Sequence, residues 1–418
     1  MKKYKYIILG GGTTAGYAAK EFVEQGFPKG ELCIVSAESI LPMNRPPLSK
    51  DYLKDKDEDE EILINDREFY ELRGIDVKLE TCALEVNFGD KQLKLDNDET
   101  LQYEKLLIAT GSSLKKLHID NGDLDNIFYL RNIKHSDKIR EAAKKAKKAV
   151  VIGGGYIGTE TASVLNQHGL KVTMVVPEDR LLSRFATADI ASFFQNKFRD
   201  KGIEIIFHDE AVGFHGNGTV EEVELKSGKK LKADMVVAGI GVKPNTKIFE
   251  KTRLNINEGV VVNEYCETNL PDVYAAGDVA EFPDMIFDKT RVVEHWEHAF
   301  EQGQHAAKVM TGTREPYVFI PFFFSDVFDY SYEYFGDNET ADTAINRGDM
   351  ESGDFSTWWV NGNRLVAAFV MASRPEIEGK SARRWIKNKT NIDKDKIHDP
   401  DTDLREAVLN TKQYRNEQ

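Results

Sequence analysis

Apolar residues recur along this chain in a pattern that is used twice. Residues 6–9 (YIIL) and 149–152 (AVVI) are short runs without polar alternation, as expected of strands buried on both faces. Each run breaks into glycines, at 10–12 and at 153–155. Each break opens onto a helix-compatible stretch, the first ending near Gln25 and the second running toward Gly169. A second apolar strand follows each helix, at 32–35 and 172–176, and each of those is followed by an acid, Glu38 and Glu178. The order strand, tight turn, helix, strand, acid is therefore predicted twice. Further on, residues 273–276 form another apolar strand that runs into Gly277 and Asp278. The aromatic run VFIPFFFSDVFDYSYEYF at 318–335 reads as two strands that are mostly core, alternating with period two after Asp326.

The spacing of the glycines adds chemistry to this pattern. Gly153, Gly155 and Gly158 match G-x-G-x-x-G, while the first copy has Gly10 and Gly12, with Ala15 at the third position and Gly16 next to it. In such a turn the first glycine permits the sharp reversal, the second lets backbone approach a pyrophosphate, and the third lets the helix pack on the strand. The helix start then offers free N–H groups and partial positive charge to the phosphates. Glu38 and Glu178 are placed to accept from a ribose hydroxyl, although the spacing is somewhat longer than the usual ~20 residues. One such turn is common in any α/β protein. Two in full context point to two dinucleotides, a tightly held flavin and an exchangeable nicotinamide. Glu178 would repel a 2′-phosphate and so favours NADH, whereas Arg180 and Arg184 nearby leave NADPH open.

Composition narrows the function classes. A chain of 418 residues implies two or three domains, and no apolar stretch reaches membrane-spanning length. The N-terminus enters a strand at once and has no cleavage-site pattern, so a mature cytoplasmic protein is expected. A net charge of -14 disfavours nucleic acid as a partner, and the lysines at 144–148 read as a solvated helix end. The acidic stretch 55–61 reads as a solvated loop, and the polar tail after Lys387 as helix or extension. Cys33, Cys82 and Cys266 form neither C-x-x-C nor C-x-x-x-x-C, so electrons must leave from the flavin itself. His295 and His298 in EHWEHA have no further ligand cluster nearby, and no metal site is expected.

Across nearly its whole length the sequence resembles FAD-dependent pyridine nucleotide oxidoreductases, in the branch of monodehydroascorbate reductases, ferredoxin and rubredoxin reductases, and apoptosis-inducing factor. The likeness is carried by the two glycine turns and by NRPPLSK at 44–50, LLIATGS at 106–112, VYAAGDVA at 273–280, VEHWEHA at 293–299 and PFFFSD at 321–326. GYAAKEFVEQGFPKGEL near the start and FATADIASFF at 185–194 are most similar to monodehydroascorbate reductase. The resemblance implies an α/β fold of two Rossmann-like dinucleotide-binding domains plus a C-terminal α/β domain. FAD would be held by 1–112 and 249–320, the nicotinamide by 113–248, and the C-terminal domain would cover 321–418. Lys50 would sit near flavin N5 with Glu160 as its partner, because a cation there favours the electron-rich reduced flavin. Gly10, Gly12, Ala15, Gly16, Glu38, Arg45, Arg131 and Asp278 would hold FAD. Gly153, Gly155, Tyr156, Ile157, Gly158, Glu178, Arg184 and Gly241 would hold the nicotinamide nucleotide, with Glu294, His295 and Phe324 beside the reacting rings.

The electron acceptor stays open at this stage. Monodehydroascorbate reductases carry an arginine after the EH-x-x-HA motif and a Tyr-Ser-Arg in the aromatic strand, where this chain has Phe300, Phe324 and Asp326. An anionic radical loses its cationic partners under those changes. A Phe-Ser-Asp strand looks like the ferredoxin-reductase branch instead, yet the acidic chain would repel an acidic carrier. The expected function is thus an NADH-dependent FAD reductase serving a small radical or a small carrier protein. The alternatives are an NADH-sensing flavoprotein of slow turnover, similar to apoptosis-inducing factor, and a general quinone or oxygen reductase.

Overall fold

The computed structural model describes residues 1–54 and 59–409. The chain divides into two compact units, one of 1–46, 57–113 and 242–321, the other of 47–56, 114–241 and 322–418. Residues 47–56, which carry Lys50, thus cluster with the second unit. Most of the acidic stretch 55–61 lies outside the described residues, as does the tail from 410 onward.

In the first unit the strand Lys2–Leu9 lies between Leu32–Val35 and Thr100–Ile108, all parallel, with Ile8 opposite both Ile34 and Leu107. Asp76–Lys78 extends one edge, and Val273–Ala275 pairs with the far side of Thr100–Ile108. The first strand is longer than the YIIL run because Lys3 and Tyr4 also pair, with Gln102 and Tyr103. Helices Thr13–Glu24 and Trp296–Thr311 pack together so closely that a Cβ at Gly303 would lie 2.6 Å from the Thr14 carbonyl oxygen. Ile8, Phe22, Ile34, Leu107 and Met310 share the core beneath them, each contributing roughly 1.5–3 kcal/mol by burial.

The second unit repeats the parallel arrangement. Lys148–Ile152 runs between Lys171–Val176 and Met235–Ala238, with Glu204–Phe207 and Ile127–Phe128 at the edges. Helix Tyr156–Gln167 follows the second glycine turn, and helix Ala188–Asp200 begins where the Thr187 hydroxyl accepts from the Ile190 N–H. The lysines at 144–148 span the end of helix Ile133–Ala143 and the first residue of the next strand.

The aromatic run forms strands Phe322–Val327 and Tyr330–Gly336, joined by a tight hairpin in which Phe328 adopts φ +55°. They belong to a sheet that is antiparallel throughout, whose other strands are Arg364–Met371, Asp354–Asn361 and Thr343–Asp349. Phe355, Trp358 and Phe369 are fully buried there, and helix Pro375–Lys387 packs on the sheet. Arg347 crosses to the end of helix Lys394–His398 and the segment after it, donating to the carbonyls of Ile397, Asp399, Pro400 and Thr402. Among the described residues no helix is long and apolar enough to cross a membrane.

Candidate active site

The first glycine turn is closed by contacts on every side. Gly10 adopts φ +131°, and a Cβ there would lie 2.0 Å from the Ala109 carbonyl oxygen; one at Gly11 would lie 1.9 Å from the Ser36 hydroxyl. Gly12 caps the following helix without any side-chain acceptor, which leaves its first N–H groups for a ligand. Ala15 fits at the third motif position because the close approach falls one residue later. At Gly16 a Cβ would come within 2.7 Å of Ile64 and 2.9 Å of Pro42. Beside this turn Arg45 is ion-paired to Glu38, and its guanidinium lies 3.3 Å from where a Gly12 Cβ would stand. Glu38, expected to accept from a ribose hydroxyl, and Arg45, expected to hold FAD, therefore have partners in each other.

Asp278 is 7% exposed and accepts from the Ser112 hydroxyl at 2.6 Å. The preceding Gly277, at φ +78°, donates its N–H to Gln302 Oε1, and a Cβ there would meet the Thr14 hydroxyl at 2.2 Å. His298 is fully buried, stacked on Phe282 and 3.2 Å from the Tyr317 hydroxyl. Burial lowers its pKa to about 3, the nearby Asp278 charge opposing, so it is a neutral core residue. Glu294 is exposed, and His295 is half-buried as the N-cap of helix Trp296–Thr311. Phe300 packs against Tyr17, with ring centroids 4.3 Å apart, and against Trp296.

The second turn, in the other unit, has one tight side and one open side. Gly153 adopts φ +112° with a Cβ position 2.4 Å from the Gly239 carbonyl oxygen, and Gly158 packs back on the Gly153 carbonyl at 2.2 Å. By contrast, nothing lies within 4 Å of a Cβ at Gly155, the uncapped helix start. Tyr156 packs on Phe323 and Phe185, while Ile157, Glu178 and Arg184 are exposed. Arg180 pairs with Asp179 at 3.3 Å. Gly241 turns at φ +96° and its carbonyl accepts from the Lys115 N–H. Arg131 is half-buried in this unit, just before the Asn132 cap of helix Ile133–Ala143. Both turns thus offer the glycine cradle and the uncapped helix start that a dinucleotide needs.

The second unit also assembles a lysine–carboxylate centre. Lys50 follows the 3₁₀ turn Pro46–Ser49 and is 8% exposed; Glu160, on helix Tyr156–Gln167, is 4% exposed. Lys50 Nζ lies 3.7 Å from Glu160 but 2.6 Å from Asp326 Oδ2, and 4.2 Å from the ring centre of Phe324. Its closest carboxylate is therefore Asp326, and the pairing with Glu160 expected from sequence is the looser of the two. Glu160 is held instead by Ser49 at 2.5 Å and Ser325 at 2.6 Å. Burial pushes its carboxyl upward, and Lys50 and the two hydroxyls offset this only in part. At Asp326 burial acts in the same direction, but hydrogen bonds from Lys50 and Ser331 bring the carboxyl below its ordinary value. Ser49, Ser112, Ser325, Ser331 and Gln302 were not singled out from sequence. Ser49, Ser112 and Ser325 do sit inside the NRPPLSK, LLIATGS and PFFFSD motifs, which is the one signal that points to them.

All three cysteines are free, Cys33 and Cys266 buried and Cys82 exposed, and burial raises the Cys33 thiol to about 12. Among the described residues no cluster of three or more His, Cys, Asp or Glu is arranged to hold a metal. Residues 4–303 match the family described as pyridine nucleotide-disulphide oxidoreductase, and residues 322–408 match the reductase C-terminal family. Monodehydroascorbate reductase of Pisum sativum is 38% identical over 417 residues, covering 93% of this chain and 95% of its own. Among solved structures, putidaredoxin reductase in its covalent complex with putidaredoxin has a TM-score of 0.92 at 27% identity, covering 97% of this chain and 98% of its own. The ferredoxin reductase of the CYP199A2 system from Rhodopseudomonas palustris also has a TM-score of 0.92, at 28% identity, covering 97% and 99%. Duplicate nucleotide turns without a redox-active cysteine pair fit one kind of electron path, from nicotinamide through flavin to an acceptor. The chain accordingly belongs to the pyridine nucleotide-disulphide oxidoreductase family, as an oxidoreductase that uses FAD and NADH and passes their electrons to an acceptor.

Proposed function

We propose that this protein takes a hydride from NADH at flavin N5 and delivers the electrons singly to a small acceptor, with Lys50 and Glu160 as its catalytic pair. FAD, when bound, accepts two electrons together and releases them one at a time. The observation that carries the reading is the Lys50 centre: a nearly buried ammonium held by Asp326 and Glu160, with Glu160 fixed in turn by two serines. Such a fixed cation stabilises negative charge developing beside it without reorganising at the moment of transfer. Gly10, Gly12, Ala15, Gly16 and Asp278 are assigned to FAD, with the Arg45–Glu38 pair presenting its guanidinium to the phosphates. Gly153, Gly155, Tyr156, Ile157, Gly158 and Gly241 are assigned to NADH, and the exposed Glu178 and Arg184 to its adenosine end. Arg131, Glu294, His295 and Phe324 complete the cofactor set. On this reading 1–112 and 249–320 form the FAD domain, 113–248 the NADH domain and 321–418 the C-terminal domain. A cytoplasmic location belongs to the same proposal and is checked by cell fractionation.

For the acceptor we favour a small electron-carrier protein. Phe300 lies in an aromatic group with Tyr17 and Trp296, and Asp326 puts a carboxylate against Lys50. An anionic radical approaching Lys50 would meet an ammonium already paired with Asp326, whereas a carrier needs only close approach. Ascorbate-radical reduction is the second reading, favoured by the 38% identity to the pea enzyme of that name. Steady-state NADH oxidation by the holoprotein separates the two, with enzymatically generated ascorbate radical compared against ferricyanide. Turnover with ferricyanide alone supports the carrier reading, and fast turnover with both supports the second. Slow turnover with either would sink both in favour of an NADH sensor.

A further inference from the structure

NADH oxidation by a one-electron acceptor leaves a proton to be discharged. NADH yields two electrons and one proton as hydride, two acceptor molecules take one electron each, and the proton must reach water. Resting on the reading that places Lys50 beside flavin N5, we propose that Asp326 is the positioning residue through which this proton leaves, with Ser331 holding its carboxylate in place.

The two carboxylates around Lys50 differ in their access to water. Glu160 is 4% exposed and its oxygens accept from Ser49 and Ser325, so a proton passed to it has nowhere further to go. Asp326 receives Lys50 Nζ on Oδ2 at 2.6 Å and the Ser331 hydroxyl on Oδ1 at 2.5 Å, and its side chain is 40% exposed. Ser331 itself lies at an exposed position of the neighbouring strand. The path thus runs from a buried ammonium to a carboxylate that touches solvent. The charged groups that act on Asp326 are Lys50, Lys54 and Glu160, and Lys54 is itself paired with Asp51 at 3.6 Å. The two lysines and the Ser331 hydroxyl keep the carboxylate ionised at neutral pH, so a proton taken from Lys50 is held only transiently and passes on to water.

The transfers balance without any electron moving along the path. One Lys50 N–H bond would break as an O–H bond forms on Asp326, and the proton that NADH oxidation leaves beside Lys50 would restore the ammonium. The Asp326 O–H bond then breaks as water takes the proton. Asp326→Asn keeps the shape and removes the acceptor.

The test mixes anaerobic, NADH-reduced holoenzyme with excess ferricyanide in weak buffer, following flavin absorbance and a pH-indicator dye together. In the native protein proton release should keep pace with electron loss. In Asp326→Asn it should lag by at least about tenfold, in the range general acid–base groups supply, and added acetate should restore it. Ser331→Ala, at an exposed site that does not endanger folding, should show a lag of about two- to fivefold, as loss of one hydrogen bond implies. A readout independent of turnover is the infrared difference spectrum between oxidised and reduced holoenzyme. It should contain aspartate carboxylate bands that disappear in Asp326→Asn. Proton release in step with electrons in Asp326→Asn, or bands unchanged by the substitution, would overturn the proposal. Lys50→Met tests the underlying reading separately, since unchanged flavin reduction by NADH in that variant would remove Lys50 from the flavin whatever Asp326 does.

Discussion

The two glycine turns of this chain share a backbone plan but differ in how much room they leave. Around the first, Gly10, Gly11 and Gly16 each sit against an atom that a Cβ would strike, and Glu38 is already tied to Arg45. Around the second, Gly153 and Gly158 are as constrained, yet Gly155 faces open space and Glu178 and Arg184 are exposed. The helices that follow differ as well. Thr13–Glu24 is packed against Trp296–Thr311 and serves as a wall, whereas Tyr156–Gln167 carries Glu160 into the lysine centre. A ligand meant to stay suits the closed turn, and one that exchanges at every cycle suits the open one. The difference teaches that one motif can be tuned to retain or to release by its surroundings.

Substitutions at the two turns are the direct way to break this contrast. Gly10→Val should have the largest effect, because it combines a positive φ with overlap against a backbone carbonyl. We expect a loss above about 4 kcal/mol and protein recovered without flavin, measured as flavin absorbance per polypeptide. Lys50→Met comes next, since Glu160 is left buried without its cation at a cost of about 3–5 kcal/mol. Because the Glu160 carboxyl is already raised, acidification should protonate it and return part of that stability. Thermal denaturation across pH checks the sign, and stopped-flow flavin reduction should slow by about 10²–10³-fold.

His298→Phe probes the closed unit from its core. The folded state holds this histidine neutral down to about pH 3, so its stabilising effect is complete above the unfolded value of about 6.5 and is lost as pH falls from there. The native protein should therefore lose roughly 1.4 kcal/mol per pH unit from this residue across that window. In the variant, denaturant titrations at several pH values should show a flatter slope. Gly155→Ala is the mildest change and sharpens the contrast most. It should cost the fold no more than about 1 kcal/mol and leave flavin bound, while NADH affinity drops by about tenfold, or ~1.4 kcal/mol. Equal damage to flavin and NADH binding would erase the distinction between the turns.

The two turns were legible in sequence because a glycine there answers a local backbone requirement that its neighbours also betray. Strand, turn and helix lie within some 25 residues, and their order exposes the need. The lysine centre was legible only in part. Lys50 and Asp326 are 276 positions apart and Ser49 and Glu160 are 111 apart, so their meeting depends on how three segments of the second unit fold together. The resemblance supplied the Lys50–Glu160 pairing but not the rank of the carboxylates, which depends on a difference of about an ångström. Likewise, Glu38 and Arg45 were each visible as candidates, while their mutual ion pair was not, because the bend between them has no periodic signature. The antiparallel order of the last sheet shows in the sequence only where residues alternate after Asp326, and not in the apolar strands Asp354–Asn361 and Arg364–Met371. Buried strands of either kind read as apolar runs when both faces are covered.

The clasp formed by Arg347 bears on how the C-terminal end of the chain opens. One guanidinium, 8% exposed, gathers the carbonyls of Ile397, Asp399, Pro400 and Thr402. Four carbonyls gathered by one side chain couple these residues, and the His398 ring against the Asn346 carbonyl fastens the same stretch a second time. The stretch should thus behave as a latch with two positions, its amides sharing one opening rate in hydrogen exchange rather than fraying in sequence.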